Sequence, residues 1–237
     1  MVKKKVSPDL LADQRRMQRV IEVLEREYPE AECSLYFETP FQLLIATMLS
    51  AQCTDERVNQ VTPDLFAEFP DAQSMAQAEL SQILHLIRSV NFYKNKAKAI
   101  LKSSQILVEK YAGEVPASMD ELIKLSGVGR KTANVVLGVG FQIPSLVVDT
   151  HVGRLTRRLG FSKLSDPVKL EQHLMKIVPE KNWIQYAHLL ILHGRAVCTA
   201  RRANCERCLI ERFCPKVGVS AKEIEKSGVM VRHSDGA

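Results

Sequence analysis

Apolar residues recur at helical spacing along most of the chain. Met17, Val20, Ile21 and Leu24 lie on one face of a helix. The same spacing predicts helices over residues 80–90, 94–111, 119–125, 129–139, 151–159 and 183–197. The best alternating strand pattern, SLVVD at Ser145–Asp149, is too short and solitary to make a sheet. The pattern therefore indicates an all-α protein of about ten helices joined by short loops.

Capping residues mark several of the helix starts. Thr39 and Asp166 each stand directly before a proline, which is the arrangement of an N-cap followed by a first-turn proline. Thr54 or Asp55 can cap the helix that follows them, and Pro63 is expected to distort the later part of that helix.

Composition and charge place the chain among ordinary globular proteins. It has 237 residues, of which 46% are hydrophobic and 25% charged. Lys and Arg exceed Asp and Glu by 33 to 27, which mildly favours a polyanionic partner. Neither a secretory signal nor a stretch of about 18 apolar residues is visible, so we expect a cytoplasmic protein. The apolar pattern fades after Cys214, and residues 217–237 are interpreted as a disordered tail.

The stretch LSGVGRKTANVVL, residues 125–137, joins two predicted helices through two glycines. So tight a turn needs positive φ values, which Gly127 and Gly129 adopt without a Cβ clash, while Val128 points inward. The backbone N–H groups of these three residues then form an anion site suited to a phosphate. The alternative is an ordinary glycine cap between two core helices.

Lys131 lies on the first turn of the second of these helices, beside Arg130. A cation there opposes the positive end of the helix dipole, so it brings the fold no benefit. A nucleophilic lysine must be uncharged, and the dipole, Arg130 and partial burial would all favour the neutral amine. Asp149, directly before the predicted helix at 151–159, is a candidate proton acceptor. An ordinary N-cap is its alternative role, and the two roles are compatible because a capping carboxylate is held in place and ionised.

Four of the six cysteines lie close together, at Cys198, Cys205, Cys208 and Cys214. In a cytoplasmic protein this favours a metal centre over disulfides. Structural zinc usually takes two close cysteine pairs, whereas one close pair is present here and a proline follows Cys214, as in some ferredoxins. The spacing therefore leans towards one 4Fe–4S cluster, with zinc as the alternative.

The remaining candidates near the cysteines are arginines. Arg201 and Arg202, between the first two cysteines of the cluster, are candidates for contacts with DNA phosphates, or else ordinary solvated charges. Cys33 and Cys53 stand apart among apolar residues and are expected to be small buried hydrophobic side chains.

In this order along the chain, the motifs closely resemble the endonuclease III family of bifunctional DNA glycosylases. The resemblance covers Gln18–Val217 and is carried by LLIATMLSAQCTD, LSGVGRKTANVVL, VVDTHVGRL, LILHGRAVC and the cysteine spacing. It implies the helix-hairpin-helix glycosylase fold, with a six-helix domain at 33–143 and an iron–sulfur domain formed by 1–32 and 144–216. Double-stranded DNA would lie in the cleft between the two domains, and we expect the protein to be a monomer.

The resemblance also implies the chemistry. The enzyme would flip an oxidised or ring-saturated pyrimidine out of the duplex, and Lys131 would attack the sugar at C1′ and displace the base. β-Elimination through the Schiff base would then cleave the strand. Asp149 would help deprotonate the lysine and stabilise positive charge on the sugar. The 4Fe–4S cluster would be structural and would help to position the DNA.

Two loops are implied to fill the gap that the flipped base leaves. Gln52 matches the inserted glutamine of the family, and Phe92 stands where the family often has leucine. Asp55 and His151 match positions near the base pocket or the sugar–phosphate backbone, with a helix cap and a surface histidine as their alternatives. The chain departs from the family at Ser126, where proline is common before the first glycine.

Three alternatives remain open. A monofunctional adenine or mismatch-thymine glycosylase of the same superfamily would lack a lysine at the position of Lys131. A non-catalytic helix-hairpin-helix protein would bind DNA with its glycines and have no need for Lys131 together with Asp149. A zinc-binding structural protein would be colourless, whereas an iron–sulfur protein is brown.

Overall fold

The computed structural model of the chain describes residues 8–220 and Glu223. It is all-α, as the apolar pattern predicts, and extended pairing among the described residues is limited to one bridge between Cys198 and Ala203. The segment Ser145–Asp149 is a connection without strand structure. In the described part, no helix combines the length and the apolar character that crossing a bilayer requires.

The helices follow one another with short connections. In chain order they are α1 (Pro8–Glu27), α2 (Pro40–Ser50), α3 (Asp55–Glu68), α4 (Ala72–Ala76), α5 (Leu80–Leu86), α6 (Tyr93–Tyr111), α7 (Met119–Leu122), α8 (Arg130–Val135), α9 (Thr150–Arg158), α10 (Pro167–Ile177) and α11 (Trp183–Ala196). A π-helix over Val136–Gly140 continues α8, and 3-10 turns lie at Glu180–Asn182, Cys205–Arg207 and Glu211–Phe213.

The chain divides into two compact units. The hairpin unit is Cys33–Ser145, and the cysteine unit combines the described residues up to Glu32 with the described residues from Leu146 onward. Each unit has its own cluster of buried apolar side chains. The hairpin unit therefore holds α2 to α8, and the cysteine unit holds α1 and α9 to α11.

Helix α2 lies at the centre of the hairpin unit. Its residues 41–49 are all buried, which fits a helix that is apolar on every face. Thr39 caps it as predicted, because the Thr39 Oγ1 accepts a hydrogen bond from the Gln42 N–H at 3.2 Å. Helices α3, α6 and α8 and the π-helix pack against it.

The next helix, α3, resolves an alternative that the sequence left open. Thr54 is its N-cap, with Oγ1 accepting from the Arg57 N–H at 3.3 Å, and Asp55 is its first residue. The helix continues past Pro63 to its end at Glu68, so the expected distortion does not interrupt it. Its buried residues on both sides of the proline hold this helix against the core.

Two helices end earlier than the pattern predicts. Helix α5 stops at Leu86 and α7 at Leu122, because the chain then turns. The Val90 N–H donates to the Ile87 carbonyl at 2.9 Å, and the Leu125 N–H donates to the Leu122 carbonyl at 3.1 Å. Val90 and Leu125 are still buried, so their apolar spacing reports contact with the core rather than helix.

The cysteine unit packs its four helices around the fully buried Tyr186. The predicted apolar face of α1 is buried, with Met17, Val20 and Ile21 fully inaccessible. Asp166 caps α10 as predicted, with Oδ1 accepting from the Lys169 N–H at 2.8 Å.

The predicted tail, 217–237, is described only at residues 217–220 and at Glu223, and the rest of it lies outside the described residues. The Val217 N–H donates to the carbonyl of Arg158 at 3.0 Å. The guanidinium of Arg158 donates to Glu223 at 2.9 Å. The carbonyl and the guanidinium of Arg158 thus bind Val217 and Glu223, so the first residues of the predicted tail contact the folded cysteine unit.

Candidate functional site

The turn between α7 and α8 depends on one of its two glycines. Gly127 has a φ of +76°, and a Cβ there would lie 2.8 Å from the Cβ of Ala99 on α6. Most L-residues adopt this conformation only with strain, and the Ala99 Cβ, which has no rotatable bond to the backbone, leaves no room for a side chain. Gly127 is therefore required by the fold of the hairpin unit.

The second glycine of the turn does not behave as the sequence predicts. Gly129 is the N-cap of α8 and has a φ of −97° and a ψ of 174°, which is ordinary extended backbone. Among the described residues, nothing lies within 4 Å of the position that a Cβ would take. The prediction of a positive φ at Gly129 is wrong. The absence of a side chain leaves open space in front of the first turn of α8.

Val128, between the glycines, points inward as predicted and is 6% exposed. Its N–H donates to the Leu125 carbonyl at 3.2 Å, so this group is not available to an anion, contrary to the sequence prediction. In the described part of the chain, the N–H groups of Gly127 and Gly129 make no backbone hydrogen bond. The carbonyl of Ser126 accepts from Ser103 on α6 at 2.7 Å, which anchors the turn without the proline common in the family.

We expect Gly127→Ala to lower the free energy of unfolding of the hairpin unit by about 2 kcal/mol or more, from the left-handed conformation and the contact with Ala99 together. Gly129→Ala is the matched control, with an expected cost of at most about 1 kcal/mol because alanine is a poorer N-cap than glycine. Thermal and denaturant unfolding of both variants measures the difference. Equal destabilisation would contradict the conformational difference between the two positions.

Lys131 is the second residue of α8, so its prediction on the first helical turn is confirmed. Its side chain is exposed in the protein without DNA. The partial burial that the sequence analysis expected is therefore wrong. Its neighbour Arg130 is also exposed. Two cations thus lie at the positive end of a helix, where the helix dipole disfavours positive charge.

Two further loops of the hairpin unit carry the candidates for gap filling. Gln52 and Phe92 are both exposed, and both have left-handed backbone, with φ values of 54° and 57°. Phe92 is 62% exposed, which is unusual for so large an apolar side chain. The side-chain amide of Asn91 donates to the Gln52 carbonyl at 2.7 Å, so the two loops are in direct contact.

Asp55 has a partner within the hairpin unit, since the Ser34 hydroxyl donates to its Oδ2 at 2.6 Å. Asn59 on the next turn of α3 donates to the Ser34 carbonyl at 2.7 Å and accepts from the Tyr36 N–H at 3.0 Å. These bonds hold the loop before α2 against the start of α3. Tyr36 on that loop is 69% exposed.

In the cysteine unit, Asp149 is the N-cap of α9. This confirms the helix-capping role, one of the two roles that the sequence predicted for Asp149. Its Oδ1 accepts from the Val152 N–H at 2.8 Å, and the residue is half-buried. Burial lowers the pKa of nearby His188, and the charges of Glu32 and Asp149 offset part of that shift. Asp149 is thus a fixed carboxylate beside a largely buried imidazole.

His151 is half-buried rather than a plain surface histidine. Its Nδ1 lies 3.1 Å from Nη2 of Arg154, one turn further along α9. The Arg154 guanidinium also donates to the carbonyls of Gly194 and Cys198, both at 3.1 Å from Nη2. The helix that begins at Asp149 is therefore tied to the loop that carries the cysteines.

The four clustered cysteines line one cavity of the cysteine unit. Among the described residues, no group of three or more His, Cys, Asp or Glu is arranged around a single metal ion. Cysteine sulfurs are the ligands of both iron–sulfur clusters and structural zinc. The four sulfurs along one cavity therefore fit a metal group that is bound through cysteines.

Burial raises the pKa of the Cys208 thiol to about 12 and also raises the pKa values of Cys205 and Cys214. Thiolates are therefore costly in this cavity unless a metal group supplies positive charge. Arg158 donates to the Cys198 sulfur at 3.2 Å, and His193 Nε2 lies 3.4 Å from the Cys208 sulfur. Donors beside the sulfurs are typical of cysteines that bind a metal group.

His193 also links the cavity to Tyr28, the residue that follows α1. Burial lowers its pKa to about 4, so the ring is neutral at pH 7, and its Nδ1 lies 3.2 Å from the Tyr28 hydroxyl. A Tyr28 O–H that donates to Nδ1 leaves the Nε2 proton for the sulfur of Cys208.

The other candidates around the cysteines are at the surface. Arg201 and Arg202 are both exposed, in a turn where the Thr199 hydroxyl accepts from the Arg202 N–H at 3.0 Å. Cys33 and Cys53 are half-buried against the core of the hairpin unit, so they are less buried than predicted.

Sequence reasoning missed Lys96, which is 9% exposed and donates to the carbonyls of Leu49 and Ala51 at 2.7 Å each. Burial lowers its pKa, and the nearby Cys53 offsets part of that shift. A signal was present, because Lys96 shares the helical spacing of the buried Ile100. A charged residue on an apolar face marks a buried polar contact.

Comparison with known proteins places this geometry in context. The sequence model of the HhH-GPD superfamily, base excision DNA repair proteins, matches residues 45–180. Endonuclease III of Synechocystis sp. is 47% identical over 212 residues, which cover 89% of this chain and 97% of that protein.

Solved structures agree with the sequence comparison. A non-covalent endonuclease III–DNA complex is similar with a TM-score of 0.81 and 41% identity, over 86% of this chain and 95% of that one. A trapped covalent intermediate of endonuclease III with DNA has a TM-score of 0.81 and 42% identity, over 86% and 96% of the two chains.

Proposed function

Because the chain belongs to the endonuclease III family, within the HhH-GPD superfamily of base excision DNA repair proteins, we propose that it is a bifunctional DNA glycosylase and lyase. It removes oxidised or ring-saturated pyrimidines, such as thymine glycol, from duplex DNA and then cleaves the strand. The observation that carries the proposal is the exposed Lys131 on the first turn of α8, directly after the Gly127 turn. Binding to DNA alone does not require a nucleophile there.

The proposed chemistry begins with base flipping, which brings C1′ of the damaged nucleotide within reach of a side chain. The Lys131 amine attacks C1′, and the base leaves with the electron pair of its glycosidic bond. Ring opening gives a Schiff base between Lys131 and the deoxyribose. Loss of a C2′ proton then expels the 3′-phosphate by β-elimination and cleaves the strand. Asp149 accepts the proton of the lysine and stabilises positive charge on the sugar.

We propose that the DNA contacts are divided among the surfaces described above. Backbone N–H groups at Gly127 and Gly129 and the cation of Arg130 bind phosphates, and open space at Gly129 allows close approach. Val128 supports the turn from inside. Gln52 and Phe92 fill the gap in the duplex. Asp55, His151, Arg201 and Arg202 are assigned to the pocket and backbone contacts that the family resemblance implies.

We propose that the hairpin unit and the cysteine unit are the helix-hairpin-helix domain and the iron–sulfur domain of the family. The described hairpin unit holds seven helices, α2 to α8, where the resemblance implied six. Cys198, Cys205, Cys208 and Cys214 would hold one 4Fe–4S cluster, which would cross-link the end of the cysteine unit. The reaction itself needs no electron transfer. Arg154 and Arg158 tie the cysteine loop to α9, so the cluster also supports the helix that begins at Asp149.

The function is tested with the intact, iron-loaded protein on a duplex that carries one thymine glycol. We expect release of the base and a strand break that ends in an unsaturated aldehyde. Release of the base with an intact abasic strand would favour the monofunctional alternative. Binding without release would favour the non-catalytic one.

Cys208→Ser is expected to lose the brown colour and to lower the stability of the cysteine unit by several kcal/mol, because metal binding contributes to folding. Iron content, visible absorbance and thermal unfolding measure the change. Cys33→Ser, in the hairpin unit, is the control and keeps its iron. Normal folding and DNA binding of Cys208→Ser without iron would contradict a structural role of the cluster. A colourless intact protein that contains one zinc ion would overturn the assignment of an iron–sulfur cluster.

A further inference from the structure

Gln52 and Phe92 both hold a backbone conformation that an L-residue reaches only at a cost. Their φ values of 54° and 57° are left-handed, a conformation that L-residues other than asparagine and aspartate rarely adopt. Such conformations persist only where surrounding contacts fix them. Both side chains are exposed, so the contacts that fix these two loops must involve other residues.

Asn91 makes the contact that joins the two loops. Its side-chain Nδ2 donates to the Gln52 carbonyl at 2.7 Å, across 39 positions of sequence. Phe92 is the next residue and the N-cap of α6. One side chain thus links the backbones of both gap-filling residues.

Lys96 makes further contacts with the backbone of the two loops that carry Gln52 and Phe92. It lies on the first turns of α6, where its N–H donates to the Phe92 carbonyl at 3.1 Å. Its ammonium group donates to the carbonyls of Leu49 and Ala51, at the C-terminal end of α2 and directly before Gln52. The negative end of the α2 dipole balances the buried charge.

We propose that Asn91 and Lys96 are positioning residues that hold Gln52 and Phe92 in place before the duplex is opened. The two side chains form one clamp across the gap-filling loops. Holding Gln52 and Phe92 in place before binding is advantageous, because the entropy cost of ordering two loops during binding would lower the affinity for the opened duplex. This inference rests on the proposed role of Gln52 and Phe92.

The clamp has a specific consequence for substrate preference. It assists only where a stacked base must be displaced, and it does nothing where the target is already unpaired. A preformed abasic site in single-stranded DNA has no stack to open. Clamp variants should therefore lose activity on duplex DNA and keep it on the single strand.

Asn91→Asp tests the clamp, because the carboxylate keeps the shape of the side chain and removes the donor to Gln52. Asn95→Asp, on an exposed residue of the same helix turn, adds the same negative charge and is the matched control. We expect Asn91→Asp to reduce base removal from a thymine glycol duplex roughly tenfold. Borohydride trapping at an abasic site in single-stranded DNA should stay within about twofold of the intact protein.

Lys96→Met removes the buried ammonium and keeps the length of the side chain, and it should show the same duplex-specific loss. Thermal unfolding of each variant shows whether the unit remains folded at the assay temperature. Equal loss on both substrates by Asn91→Asp would mean general damage and overturn the clamp. Equal duplex rates for Asn91→Asp and Asn95→Asp would overturn it as well. Inactivity of the intact protein on the duplex would instead contradict the proposed function.

Discussion

Lys131→Gln is expected to abolish covalent trapping and to slow base removal by roughly a thousandfold or more. Glutamine keeps the length and polarity of the side chain but has no nucleophilic amine, so no Schiff base forms for borohydride to reduce. The measurement is borohydride trapping on a duplex with one thymine glycol. Because Lys131 is exposed and opposes the helix dipole, the variant should fold at least as well as the intact protein.

Arg130→Gln is the matched control for this experiment, because it removes one positive charge from the same helical turn. It should weaken DNA binding and retain trapping once the DNA is saturating. An adduct that persists in Lys131→Gln would assign the Schiff base to another amine. Base release by the intact protein with no adduct would assign Lys131 a role outside covalent chemistry and favour a monofunctional glycosylase.

Asp149→Asn is expected to slow base removal by roughly a hundredfold or more while leaving the fold intact. Asparagine is as good an N-cap as aspartate, and its Oδ1 can still accept from the Val152 N–H. The change therefore removes the charge and the proton acceptor and keeps the cap of α9. Single-turnover base release and thermal unfolding measure the two effects separately.

The control for Asp149→Asn is Asp166→Asn, because Asp166 caps α10 with the same geometry, accepting from Lys169 at 2.8 Å. Its activity should match that of the intact protein. Equal activity of Asp149→Asn and the intact protein would leave Asp149 as a helix cap alone. A large loss of stability in Asp149→Asn would mean that the carboxylate supports the fold through its charge.

The two glycines of the hairpin show where sequence reasoning stops. The sequence predicted a positive φ at both glycines, and of the two only Gly127 has a positive φ. The requirement at Gly127 comes from its φ together with Ala99, which lies behind the turn only after α6 has packed. The same packing decided that the Val128 N–H turns back to Leu125. The amino acids in a turn determine which backbone conformations are allowed, and packing against the surrounding helices selects one of them.

The cysteine cavity shows the same division. Spacing alone predicted a metal centre and left iron–sulfur and zinc open. The structure adds that the four cysteines line one cavity, with Arg158 and His193 beside two of the sulfurs. Arg158 comes from α9, 40 positions before Cys198, so no local pattern could have named it, whereas His193 lies within the LILHGRAVC motif itself.

By itself the sequence determined the features that depend on residues a few positions apart. These are the helical class, the caps at Thr39 and Asp166, the position of Lys131 on the first turn of a helix and the grouping of the cysteines. The tertiary structure alone decided contacts between distant segments, such as Asn91 with Gln52 and Lys96 with the end of α2. The reason is physical. Helix spacing and capping are short-range, whereas a side-chain hydrogen bond across 39 or more positions exists only when packing brings its partners together.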